Sequence, residues 1–126
     1  MRKQLTIFDG FSIEPYKNKK EIVEKTAKQI IKDFALFGMK IELTEGLEWN
    51  YDALFSQLQP VIDRLMHQDY PRLLSLLYQI DLSPTAINKA RTEQPEIPET
   101  ELIPALIIYR EFKKVVFRMY YSSMKK

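Results

Sequence analysis

The chain contains no cysteine. That absence removes disulfide stapling, thiolate nucleophiles and every zinc or iron–sulfur site built on sulfur. Histidine occurs once and glycine three times, which leaves little material for imidazole metal centres or for Gly-rich phosphate loops. A long apolar run is missing too. The Leu102–Tyr109 stretch stops at Arg110, well short of the roughly 18 apolar residues of a membrane span. The N-terminus has two early bases, Arg2 and Lys3, but only Leu5–Phe8 as an apolar patch, where a secretory signal needs a core of about 7–15 residues. The expectation is a cytoplasmic protein with no membrane insertion.

What is present fits one domain. At 126 residues the chain is long enough to bury roughly two thirds of its unfolded surface without staples. Its net charge of +2 is unevenly spread: residues 110–126 carry six bases and one acid, while residues 1–109 carry 13 bases and 16 acids. Positive charge is thus concentrated at the C-terminal end, in the stretch that also dominates the hydrophobic pattern. From Leu102 to Tyr109 apolar residues face nearly every direction, so this part of a helix has to be wrapped on all sides. Beyond Arg110 the pattern thins to Phe112, Val115, Val116, Met119 and Tyr120, the spacing of one buried stripe.

Earlier segments supply the wrapping. Val23, Ala27, Ile30, Ile31 and Phe34 follow helical spacing behind an Asn18/Glu21 capping pair, with Lys20, Glu24, Lys25, Lys28 and Lys32 turned outward and Gly38 placed as a left-handed C-terminal cap. Met39, Ile41 and Leu43 alternate with polar residues, which predicts a short strand over 39–44 whose partner in the sequence is 3–8. Trp49 beside Leu47 reads as a hydrophobic staple before the next helix.

Asn50 caps that helix, whose inward face is Tyr51, Leu54, Phe55, Leu58, Val61, Ile62, Leu65 and Met66, with a kink or break expected at Pro60. Asp69-Tyr70-Pro71 restarts the chain into a helix whose Leu73, Leu74, Leu76, Leu77 and Ile80 are expected to be almost wholly buried. Ser83-Pro84 opens another short helix. The acidic, proline-containing stretch 93–100 is an exposed linker by composition, and Thr100 is placed to cap the final helix. The fold expected from this pass is all-α in the main: a single bundle of about five helices, with one short two-stranded ribbon between residues 3–8 and 39–44. Residues 1–16 form a partly ordered N-terminal segment and 17–126 the helical domain.

Convergent titratable groups are scarce. His67 shares a helical face with Asp63, and Asp69 is near. That is a carboxylate-oriented base or part of a metal site at most, and a solvated polar face by default, because local spacing supplies no further ligand. No phosphate loop, nucleophile elbow or paired-histidine motif occurs. No catalytic residue, metal site or cofactor is therefore expected. The last helix is richer. Arg110, Lys113, Lys114, Phe117, Arg118 and Tyr121 project into one sector roughly 140° wide at 100° per residue, opposite Phe112, Val115 and Met119. Arginine and exposed rings are the residue types enriched at protein interfaces, so the function expected is protein interaction, with a partner protein or with a second copy of the chain. The alternative is nucleic-acid binding through the same face, with bases for phosphate and rings for stacking. The bland reading is a solvated helix face with Phe117 covered by the N-terminal segment.

Overall fold

In a computed structural model the chain is mainly α-helical. Residues 7–8, 11–41 and 50–124 are described. A two-residue ribbon pairs β1 (Ile7–Phe8) antiparallel to β2 (Phe11–Ser12). Five helices follow: α1 (Lys20–Ala35), α2 (Tyr51–Gln68), α3 (Tyr70–Gln79), α4 (Pro84–Glu93) and α5 (Glu99–Met124).

The ribbon differs from the sequence expectation. Ile7–Phe8 turns back on its immediate successor, a contact of low loop-closure cost, and residues 39–41 form no strand. The remainder of the proposed 39–44 strand, residues 3–6, and the Leu47/Trp49 staple lie outside the described residues. Ahead of α1, Ile13 is fully buried in the core, and Tyr16 closes a turn onto its carbonyl at 2.9 Å.

Asn18 lies within that turn system and does not cap α1. Lys19 takes the N-cap position without a side-chain bond, and Val23 N–H reaches the Lys19 carbonyl at 3.0 Å. The other end matches expectation. Gly38 has φ +71°, its N–H bonds the Ala35 carbonyl at 3.0 Å, and Met39 N–H reaches back to Phe34 at 3.1 Å. This is a Schellman motif, with buried Phe34 and Met39 as its apolar pair. No atom lies within 4 Å of where a Cβ would stand on Gly38. Gly38→Ala is therefore expected to cost about 1–2 kcal/mol through left-handed backbone strain alone, read as a shifted urea midpoint with an unchanged slope.

Both helix-interior prolines are accommodated, for different reasons. Pro60 neither ends nor splits α2, which runs unbroken from Tyr51 to Gln68 behind the Asn50 cap, whose Oδ1 accepts from Ala53 N–H at 2.9 Å. Pro60 and Ser56, the residue whose carbonyl loses its donor, are both exposed, so water can replace the missing bond. Because α5 starts at Glu99, Thr100 lies inside it rather than at its cap, and Pro104 falls beyond the first turn. The carbonyl that Pro104 leaves without a donor is that of Thr100. It accepts instead from Gln59 Nε2 of α2 at 3.3 Å, a repair made across two helices.

The expected exposed linker shrinks to residues 94–98 and plugs Ile97 into the core. Glu99 pairs with Arg91 of α4. On α3 the apolar face is narrower than expected, since Leu73, Leu76 and Leu77 are buried while Leu74 and Tyr78 are exposed. α5 packs against α1, α2 and α4, and α3 closes the bundle on α2 and α1. Every residue from Leu102 to Tyr109 is buried, as are Phe112 and Val115. Val116 and Met119 are half-buried and Tyr120 is exposed, so the stripe expected to continue through Tyr120 ends before it.

Candidate partner-binding site

The six side chains of the basic and aromatic sector fall into three situations. Arg110 and Lys114 are committed within the fold. Arg110 donates from Nε to the Ile80 carbonyl at 3.3 Å and from a terminal nitrogen to the Asp81 carboxylate at 3.1 Å. It thus meets the carbonyl end of α3, where a cation complements the helix dipole. That end is a second Schellman motif: Leu82 N–H bonds the Leu77 carbonyl at 2.8 Å, Asp81 N–H bonds that of Tyr78 at 3.1 Å, and Asp81 itself holds φ 66°. Aspartate is among the few side chains that tolerate this conformation.

Lys114 is turned inward. Its Nζ lies 3.3 Å from Glu111 and 4.0 Å from Asp33, two buried carboxylates facing each other across the α1–α5 contact. Gln29 donates to Asp33 Oδ1 at 3.0 Å. Among the described residues, Asp33 Oδ2 and both Glu111 oxygens have no hydrogen-bond partner. Desolvation first, and then the neighbouring Asp33 carboxyl, push the Glu111 pKa up to about 8, against a smaller opposing pull from Lys114. Neither acid was singled out by helical periodicity.

Lys113 and Phe117 form a pair, with Nζ 5.7 Å from the ring centroid. Phe117 remains 46 % exposed, although Phe11 meets it edge-on at 5.6 Å. The N-terminal segment therefore covers one side of the ring and leaves the other open. Tyr121, with Tyr120 beside it, is bare: the two are 63 % and 64 % exposed. Arg118 is also exposed and leans towards α1, donating to Gln29 Oε1 at 3.3 Å.

That last contact opens onto a groove of about 670 Å³ between α1 and α5. Val115 and Met119 supply its apolar lining, and Lys25, Lys28, Lys32 and Arg118 its charged margins. Positive charge is consequently not confined to the C-terminal stretch. Folding brings three lysines from the net-acidic part of the chain alongside Arg118. Lys25 and Lys28 have Glu21 and Glu24 one turn away, at 3.6 and 3.7 Å, exposed pairs of the kind worth only about 0.3–0.5 kcal/mol. Among the described residues, Lys32 and Arg118 have no carboxylate within ion-pair distance.

Other candidates are thinner. The His67 ring sits on its own helix, Nδ1 being 2.8 Å from the Asp63 carbonyl, and is exposed. Among the described residues no group of three or more metal-ligating side chains converges. A smaller depression of about 290 Å³ lies between α3 and α4, edged by Tyr70, Leu74 and Tyr78. No helix among the described residues is long and apolar enough to cross a membrane.

Fold and surface together define a mainly α-helical bundle with a basic groove between its first and last helices and exposed rings near the end of the last. No protein-family model, no curated protein and no solved structure matches the chain.

Proposed function

We propose that the protein is a non-catalytic interaction domain that docks another protein on the α1–α5 groove and the bare end of α5. The observation that carries this reading is a trough lined by Val115 and Met119 with Lys25, Lys28, Lys32 and Arg118 along its margins, on a helix whose other side carries three exposed rings, Phe117, Tyr120 and Tyr121. Rings and arginines of this kind anchor protein interfaces. Charge argues against a second copy as the occupant. A twofold contact through this surface sets Lys25, Lys28, Lys32 and Arg118 against the same residues, and like charges facing across an interface are costly. Nucleic acid fits less well than protein, because phosphate gains nothing from Val115 and Met119.

The test is site-specific photo-crosslinking in the native host. A benzophenone amino acid at position 121 is expected to give a discrete crosslink to a different polypeptide, and the same probe at the exposed Thr85 of α4 none. Crosslinks only to a second copy of the chain or to nucleic acid overturn the reading, as does an equal pattern from both positions.

A further inference from the structure

Bases that bind a single phosphate or carboxylate converge on one point, and those of the groove do not. Lys25, Lys28 and Lys32 stand at i, i+3 and i+7 on α1, a row about 10 Å long at 1.5 Å rise per residue. Arg118 stands on the opposite wall, one turn of α5 beyond Lys114. Between these margins lie Val115 and Met119, and the lysine stems add aliphatic surface below their charged tips. The trough thus offers an apolar floor about one helical turn long, widened by the lysine stems, beside a basic row about two turns long and with Arg118 on the far side.

A ligand that satisfies both features carries aliphatic side chains in a line and acids flanking that line at the same pitch. An α-helix with an apolar stripe and Asp or Glu beside it does this, since its i, i+3/i+4 and i+7 positions repeat at the spacing of the lysine row. We infer that the α1–α5 groove seats an acidic amphipathic helix of the partner protein, an inference that rests on the interaction reading above and names the chemistry of what binds. The acids of the incoming helix displace Glu21 and Glu24 from Lys25 and Lys28 and supply the carboxylates that Lys32 and Arg118 do not find among the described residues. Its apolar stripe covers Met119 and the lysine stems over the buried Val115. Single-stranded nucleic acid, by contrast, needs its bases stacked, and among the described residues that line the groove none is aromatic.

The full chain is to be titrated by fluorescence anisotropy with labelled synthetic helical peptides of about 18 residues, five turns. The probe carries a Leu stripe flanked by Glu. One control replaces Leu with Ser, a second replaces Glu with Lys, and a third probe is oligo-dT of similar length. The expected result is micromolar binding of the Leu/Glu peptide, at least about tenfold weaker for either control peptide and for oligo-dT, and weakening as salt rises from about 50 to 500 mM. Lys28→Glu with Lys32→Glu should reduce affinity at least about tenfold; both positions are exposed, and an unchanged unfolding midpoint confirms that the fold survives. Equal binding by that double variant, preference for oligo-dT, or no binding of the Leu/Glu peptide each overturn the inference. A crosslink from position 121 to another protein, obtained alongside any of these, shows that the partner's chemistry was misassigned and that the interaction reading stands; the loss of both removes the two together.

Discussion

Glu111→Gln is expected to flatten the pH dependence of stability over the range between the ordinary Glu value of 4.5 and about 8. Wild type should lose stability across that window, by an amount of order 4 kcal/mol attributable to this one group. The direction follows from which state holds the proton. Below 4.5 the carboxyl is protonated folded or unfolded, so burial carries no charge penalty. Between 4.5 and about 8 the unfolded chain releases the proton and the folded chain keeps it, so each rise in pH favours unfolding. Above about 8 the folded protein holds a buried carboxylate beside Asp33 with Lys114 as its compensation, and the loss levels off. Glutamine reproduces the shape of the neutral acid and cannot ionise. Urea unfolding from pH 5 to 9 should therefore show the variant nearly level and more stable than wild type at the alkaline end.

The groups facing Glu111 define a second arm of the same measurement. They are Asp33 from α1 and Lys114 from its own helix, with Gln29 bonded to Asp33 behind them. Asp33→Asn removes the like charge and leaves a side chain able to donate to Glu111, so the window of lost stability should contract towards lower pH. Parallel profiles for wild type and Glu111→Gln would show that the carboxylate is solvated in the native state, and would dissolve the cluster. An effect of order 4 kcal/mol is a large share of the roughly 5–15 kcal/mol that holds a domain of this size folded.

The buried acids also mark the limit of what periodicity reveals. Leu102–Tyr109 was legible as enclosed because no face of that stretch offers a polar residue, and the helices capped by Asn50, Asp69 and Ser83 begin where the cap chemistry places them. Glu111 was not legible, because one charged residue per turn of an amphipathic helix is ordinarily its wet side. A signal was nonetheless present: its neighbours at i−4, i−3 and i+4 are Ile107, Ile108 and Val115, an apolar frame around a carboxylate. The docking sector was read in part. Its exposed rings stand where helical spacing puts them, whereas Arg110 and Lys114 were drawn inward by Asp81 and by Glu111 with Asp33, partners supplied by tertiary contact. The groove lay outside sequence reasoning altogether, because its walls come from segments about 90 residues apart and nothing local pairs α1 with α5. Of the kink or break expected at Pro60 the break does not occur, since a proline ends a helix only where neither packing nor water makes up the lost bond.

Leu106→Ala is expected to cost about 3 kcal/mol, within the 2–5 kcal/mol range of buried leucine truncations, and Tyr121→Ala less than about 0.5 kcal/mol. Leu106 is fully buried within the enclosed part of α5, so alanine loses transfer free energy and leaves a void that the helices packed on α5, namely α1, α2 and α4, can fill only in part. Tyr121 removes a larger side chain, but one already 63 % in water. The two variants lie on one continuous helix, so helix propensity and unfolded-state effects largely cancel and the difference reports burial. Guanidinium unfolding monitored by far-UV circular dichroism gives both values from the same transition. A Tyr121→Ala cost comparable with that of Leu106→Ala would mean that the distal turns of α5 are covered by this same chain. No ring would then be left for a partner, and the docking proposal would lose its anchor. The predicted asymmetry instead leaves the distal rings contributing almost nothing to stability, the condition under which such residues remain available for binding.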